Sequence, residues 1–199
     1  MICLAVGRAP GQVAAPPAVE QAAIAAVNDM GKEVVLGRHQ AAIDRMFPPW
    51  KESLAKSVGG MDKLQEKLAA VPKMMAQQGI VLRSFRAEGT PTAYEVDAGK
   101  ETVQEGGKPV EKMIFKKWLI VIPTATEILF TAPAKPNEAP KMHVVVSHSF
   151  QVAIADKDKN DWTFIDGSGL RLSDLRRLFF TLPDNMILPE IKGEEKKDR

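Results

Sequence analysis

The spacing of apolar residues divides the chain into a helical part and a strand-rich part. Up to about residue 78, apolar side chains recur at three- and four-residue steps, which is typical of helices that bury one face. From about residue 80 they alternate with polar side chains, which is typical of strands. Helices followed by strands predict an α+β fold in which the N-terminal helices pack on one antiparallel sheet.

Glycine and proline delimit the predicted helices. Four helices are predicted at about 18–36, 38–47, 50–58 and 61–78. Gly37 breaks the first pattern, and Gly79 ends the fourth, because glycine is unfavourable inside a helix and common just after one. Pro48 and Pro49 end the second helix, since the residue before a proline avoids the helical conformation.

The strand-rich part is divided by turn residues. Strands are predicted near 80–85, 94–96, 113–122, 127–131, 142–155 and 162–166, and a short helix follows at about 173–180. Gly106 and Gly107 mark a turn. Pro123 is interpreted as a bulge or an edge position that separates two strands.

The two ends of the chain lack apolar periodicity. Residues 1–17 are predicted to be a flexible leader, 18–192 a single α+β domain, and 193–199 a charged disordered tail. The apolar segment Ile2–Val6 leaves two alternatives open: the end of a secretory signal that starts upstream of Met1, or a disordered cytosolic leader. An exported, periplasmic location and a cytoplasmic one therefore both stay open.

Composition and motifs exclude several classes of function. The net charge is only +2, and acidic residues interleave with basic ones, so no nucleic-acid partner is predicted. The single cysteine, Cys3, excludes an intrachain disulfide or a cysteine zinc site. No apolar run of about 18 residues is present, so no transmembrane segment is predicted. Without a phosphate-binding glycine loop or paired metal ligands, the sequence predicts no cofactor and no metal.

The strand predicted at 142–155 carries the strongest candidate site residue. Alternation places Val146, His148 and Phe150 on one nearly apolar face, which we expect to lie under the helices, and His143 on the other. His148 has two interpretations. It is either a neutral core histidine with a structural partner or a group that lines a cavity as an acid, a base or a hydrogen-bond donor.

Other side chains complete the candidate site. Asp44, on the second predicted helix, is a candidate partner for His148 or a solvated surface charge. Trp118 is interpreted as a core anchor or a platform for a ligand, and the hydroxyl of Tyr94 as a pocket group or a rim group. The candidate pocket-lining residues are thus His148, Phe150, Val146, Trp118 and Tyr94.

The order of these features resembles the nuclear-transport-factor-two-like superfamily, and in particular its bacterial, often exported members of unknown function. The matching pieces are the helix break at Gly37-Arg38-His39, the helix end Phe47-Pro48-Pro49, the glycine pair before Met61, the stop at Gly79, the strand Val121-Ile122-Pro123, and DWTFIDG followed by LRLSDLRRLFFTLPDNMILPE. The resemblance covers about Ala18–Glu190. It implies a cone in which helices close one end of a strongly curved antiparallel sheet around an apolar pocket.

The resemblance implies more than one function. Some members are enzymes, such as ketosteroid isomerases, scytalone dehydratases and polyketide cyclases, whereas many are non-catalytic binding or assembly modules that are often dimeric. The ketosteroid isomerase pattern needs an aspartate base, a tyrosine and a protonated acid around one apolar site, and the predicted inward faces carry no such acid. Three hypotheses follow: a non-catalytic cone domain that binds a small apolar ligand or a protein partner, a cofactor-free isomerase or lyase that uses His148 as acid and base, and a structural homodimer with a filled cone.

Overall fold

A computed structural model describes residues 12–132 and 141–196 of the chain. The helices are α1 (Pro17–Val35), α2 (Gln40–Asp44), α3 (Pro48–Val58), α4 (Met61–Gln77) and α5 (Leu172–Leu178). The strands are β1 (Gln12–Val13), β2 (Ile80–Ala87), β3 (Thr92–Glu105), β4 (Lys108–Ala132), β5 (Lys141–Asp156), β6 (Thr163–Asp166) and β7 (Lys192–Glu195). The strands form one open, curled sheet, so the predicted α+β class with N-terminal helices on a curved antiparallel sheet is confirmed.

Two long strands form the centre of the sheet. β4 pairs with β5 from Lys117 opposite Asp156 to Ala132 opposite Lys141. The other edge of β4 is shared by β3 and β2, and the other edge of β5 is shared by β6 and β7. β1 pairs with the outer edge of β3. Each ladder is antiparallel, so a residue and its partner on the next strand lie on the same face of the sheet.

β4 runs unbroken through Pro123, where the sequence predicted an interruption. On the outer edge of β4, the pairing with β3 reaches Val121, and the pairing with β2 begins at Thr124. Pro123 therefore lies in the gap between two neighbouring strands, where its missing N–H leaves no ladder bond unmade. Its carbonyl oxygen still accepts a hydrogen bond from the backbone N–H of Glu88 at 2.8 Å.

Local signals placed three of the first four helices within two residues, but the second was predicted too long. α2 ends at Asp44 and not at the prolines, because the backbone of Arg45 and Phe47 pairs with Phe164 of β6. α1 and α4 end within one residue of their predicted ends. Pro48 and Pro49 begin α3, where a proline loses no helical hydrogen bond because the first N–H groups of a helix have no intrahelical acceptor. Gly59, which has a φ of 90°, ends α3 in the left-handed conformation that glycine adopts without steric cost.

α1 covers the opposite sheet face from the one predicted. Ala23 and Ala26 of α1 belong to the same buried cluster as Ala153 and Ala155 of β5 and the ring of Trp118. The sequence predicted this helix over the other face, with Val144, Val146, His148 and Phe150. Small side chains on both elements let the helix approach the sheet closely. The alternation of β5 predicted the wrong face because its larger apolar residues lie on one face and these alanines on the other.

The second sheet face is covered by other elements. Phe47 and Trp50, around the start of α3, pack with α5 and the C-terminal segment against Phe150 and Ile154. Phe47 stacks on Phe179 with ring centroids 5.5 Å apart. Side chains therefore fill both faces of the sheet where β4 and β5 first pair.

Regular structure extends beyond the predicted domain ends of 18–192. β1 precedes residue 18 and is followed by the buried Ala15, and β7 ends at Glu195. The remaining parts of the predicted leader and tail, residues 1–11 and 197–199, lie outside the described residues.

Candidate functional site

The five predicted pocket residues are divided between two faces of the sheet. Phe150 and Tyr94 are buried in the cluster beside α5, whereas Trp118 is buried in the cluster under α1. Val146 and His148 share the face of Phe150 but lie nearer the start of β5, where they are only half-buried. Burial raises the pKa of Tyr94 above its ordinary value of 10.0, so its hydroxyl stays protonated at neutral pH. The fold therefore brings Phe150 and Tyr94 together and keeps Trp118 apart from them.

His148 has a carboxylate partner that is distant in sequence. Its Nδ1 atom lies 2.5 Å from Oε1 of Glu88, the residue that follows β2. The two side chains are 29% and 28% exposed. They approach from opposite sides of β4, where the residue paired with His148 is the fully buried Ala125. A side chain as small as alanine leaves room for this pair to bridge the strand.

Each charged side chain described around His148 lies beside one of opposite charge. Arg86 lies 3.7 Å from the second oxygen of Glu88. Lys196 donates a hydrogen bond of 2.9 Å to Glu127, and this bond is the largest cause of the lowered pKa of Glu127. Paired opposite charges give this surface no strong field of either sign.

The pair of Glu88 and His148 has the geometry of an oriented imidazole. A carboxylate on Nδ1 fixes the ring, so Nε2 is the atom that could exchange a proton with a bound molecule. Ser147 and Ser149 point to the other face of β5, which excludes them as nucleophiles beside His148. The arrangement can therefore support proton transfer, but these serines add no covalent chemistry.

The other residues considered at the sequence level have different roles. Asp44 accepts a hydrogen bond from Gln40 on the exposed side of α2 at 2.8 Å and does not pair with His148. His143 lies on the opposite face from His148, as predicted, with its Nδ1 atom 2.8 Å from a carboxylate oxygen of Glu195. This contact links β7 to β5. In the two described ranges, no three histidine, cysteine, aspartate or glutamate side chains are grouped to hold a metal ion.

A two-stranded ribbon formed by β3 and β4 extends beyond the rest of the sheet. Residues 98–116, which we call the arm, pair only with each other among the described strands, because β5 joins β4 at Lys117 and β1 joins β3 at Tyr94 and Ala93. Each strand of the arm is about 25 Å long, at about 3.4 Å per residue. Met113 is 72% exposed on one face of the arm, and Val110 is exposed on the other.

Ion pairs link the two strands of the arm. Lys100 donates to Glu111 at 2.9 Å, and Lys112 donates to Glu105. The turn at Gly106 joins the strands, as the sequence predicted. These exposed pairs fix the register of the ribbon more than its stability, because a surface ion pair contributes about 1 kcal/mol or less.

An open groove of about 600 Å³ lies at the base of the arm. Its walls carry four lysines, four acidic residues, Ile114 and Phe115. Hydrogen bonds from Lys117 and Lys159 lower the pKa of Asp156 to about 2, so this wall residue is ionised at neutral pH. A smaller groove of about 290 Å³ lies beside it, between the start of α3 and the end of β5. None of the five predicted pocket residues lines either groove.

Comparisons of the chain with family models, with curated proteins and with solved structures find no match. No helix in the described parts of the chain is long and apolar enough to span a membrane. The resemblance to the nuclear-transport-factor-two-like superfamily thus stays a prediction.

Sequence reasoning missed the arm and Glu88 for different reasons. The glycine pair indicated a turn, but the sequence predicted strands only near 94–96 and 113–122, whereas β3 continues to Glu105 and β4 begins at Lys108. Pairing with other strands cannot be seen in one sequence. Nothing therefore marked residues 98–116 as projecting. Glu88 lies 60 residues from His148 in the chain, and only the register of β2, β4 and β5 brings the two together.

Proposed function

We propose that the chain is a non-catalytic protein-binding module that contacts its partner through the arm. The observation that carries this proposal is an exposed ribbon with apolar side chains on both faces. A two-stranded ribbon is marginally stable in water unless a third strand or another surface covers it. The exposure of Met113 and Val110 is therefore best accounted for by a partner that covers the arm.

Two observations favour a protein over a small apolar ligand. Pockets for such ligands are usually enclosed and predominantly apolar. The large apolar side chains of the central sheet pack against α1 on one face and against α3 and α5 on the other. The groove at the base of the arm is open, and eight of its ten wall residues are charged. Charged, open walls suit a polar protein surface better than a hydrocarbon.

Site-specific photo-crosslinking tests the proposal. A photoreactive amino acid replaces Met113 in the arm or, as a matched control, Met142 at the start of β5, which is 69% exposed. In cells that naturally produce the chain, we expect a discrete protein adduct from position 113 and none from position 142. Equal labelling at both positions, or no adduct at 113, would contradict the proposal.

A second candidate function is a cofactor-free isomerase or lyase. The observation that favours it is the pair of Glu88 and His148, which orients an imidazole on a half-exposed surface. The test is exchange of α-protons in small carbonyl compounds with heavy water, followed by NMR. His148→Gln should abolish exchange, whereas His143→Gln, which changes the other carboxylate-paired histidine of β5, should not. Identical rates in both variants and the wild type would remove this candidate.

A further inference from the structure

The arm has an unpaired edge that is suited to strand addition. Among the described strands, β1 meets β3 only at Ala93 and Tyr94, so the outer edge of β3 is open beyond them. Asp97 interrupts the strand with a φ of 63°, a left-handed conformation that is rare outside glycine. The next eight residues, 98–105, pair with β4 without a register shift. They present a continuous row of backbone donors and acceptors that has no partner among the described strands.

The two edges of the arm differ in how well they are protected. Lysine and proline on an edge strand oppose the addition of another strand, because the first resists desolvation and the second lacks an N–H. The β4 edge of the arm carries Pro109 together with Lys108, Lys112 and Lys116. The β3 edge carries no proline and only Lys100. Strand addition is therefore favoured on β3.

We infer that the partner is a second copy of this chain, and that the two β3 edges pair antiparallel about a two-fold axis at Thr102. This inference rests on the proposed function and names its partner. A two-fold axis makes each residue face a defined residue of the other copy. With the axis at Thr102, Lys100 lies opposite Gln104, and Glu101 lies opposite Val103. The register thus places no like charges opposite each other.

Neighbouring registers are disfavoured by charge. An axis at Lys100 or at Glu101 would place that residue opposite its own copy. An axis at Val103 would place Glu101 opposite Glu105. Like charges directly opposite on paired strands are destabilising, whereas a threonine pair is favourable. Among axes from Lys100 to Val103, charge complementarity therefore selects Thr102.

Pairing in this register converts two ribbons into one four-stranded sheet. Ala98 of one copy then lies opposite Gly106 of the other, so each turn reaches the base of the other arm. At the base, Asp97 interrupts the continuous edge and lines the charged groove. A four-stranded sheet no longer has the marginal stability of an isolated hairpin. Met113 pairs with Lys100 of its own copy, and Lys100 then faces Gln104 of the other copy. A photoreactive side chain at position 113 therefore lies two strand spacings, roughly 10 Å, from the backbone of the other copy.

Disulfide trapping tests the register. In a Cys3→Ser background, Thr102→Cys places two thiols across the axis, and mild oxidation should give a linked dimer of doubled mass. Glu111→Cys is the matched control. Glu111 pairs with Thr102 within the arm, so its thiols would lie three strand spacings apart, roughly 14 Å, and should not form a disulfide. Sedimentation of the unmodified chain should show a dimer that dissociates on dilution.

Three outcomes would overturn the inference. The first is a monomer at every concentration, and the second is equal disulfide trapping of both cysteine variants. The third is a disulfide within one chain between position 102 and a retained Cys3, which would assign the edge to the chain's own N-terminal residues. A specific adduct with another protein at position 113 of a monomer would contradict the homodimer and leave the proposed function standing.

Discussion

Replacement of Gly31 by alanine tests how α1 packs on the sheet. Gly31 is buried in the interior of α1, and its backbone faces the ring of Phe85 in β2. A Cβ atom at position 31 would lie 1.9 Å from Cδ1 and 2.4 Å from Cγ of that ring. Contacting carbon atoms normally lie about 3.5–4.0 Å apart, so the ring or the helix would have to move by roughly 1.5 Å or more.

Two effects of this substitution oppose each other. Alanine is favoured over glycine in a helix interior by about 1 kcal/mol. Overpacking of a core costs about 1–3 kcal/mol, and sometimes more. The overlapped atoms include Cγ of Phe85, which does not move when the ring turns about the Cβ–Cγ bond, and Phe85 belongs to a paired strand, so we place the cost in the upper part of that range. The net expectation for Gly31→Ala is a loss of about 1–2 kcal/mol in the free energy of unfolding.

Urea unfolding followed by circular dichroism measures this loss as a lower midpoint at an unchanged slope. Phe85→Ala supplies the matched background, because it removes the ring that causes the overlap. In that background, Gly31→Ala should stabilise the protein by about 1 kcal/mol, so the sign of the effect reverses. Gly31→Ala that is as stable as the wild type would refute the packing of α1 against Phe85.

Three further predictions concern charge, the histidine pair and the N-terminal strand. Because two lysines lower the pKa of Asp156 from 3.8 to about 2, its stabilising contribution is complete above about pH 4 and is lost as the pH falls towards 2. Asp156→Asn should therefore lose less stability over this window, and identical urea midpoints at each pH would contradict this. His148→Leu should change the free energy of unfolding by less than about 1 kcal/mol, since a partly exposed contact between two side chains contributes little, and a larger loss would mean that the contact with Glu88 holds β2 and β5 together. A chain that begins at residue 18 loses β1 and the buried Ala15, so we expect a loss of about 1–2 kcal/mol, which an unchanged melting temperature would disprove.

The helices were predictable because their ends depend on local chemistry. Glycine stops a helix through its own backbone freedom, as at Gly79, and proline restricts the residue before it. The same local rule identified the turn at Gly106. Each of these signals acts within a few residues, so a single sequence contains all of the information that is needed.

The faces of the sheet and the partner of His148 depended on contacts between distant segments. The sequence did not predict that the alanines of β5 are core residues, because their burial depends on the alanines of α1 that pack against them. Pro123 looked like a strand end because its effect depends on which strand lies beside it. Glu88 could not be selected from the other acidic residues without the register across β4. Pairing between distant strands, and not side-chain chemistry, limited the prediction of the site.

The length of the central strands is the strongest reason to look for recognition outside the core. β4 has 25 residues and β5 has 16, whereas strands commonly have about 5–6. The buried cluster residues of these strands lie between Trp118 and Val121 or Ile122, and between Phe150 and Ala155. Beyond the core, β3 and β4 continue at one end as the arm. At the other end, β4 and β5 form the partly exposed surface around His148. An ordered strand loses conformational entropy whether or not it buries apolar surface. A partner at the arm would offset that loss, and its apolar side chains and open edge make the arm the first surface to test.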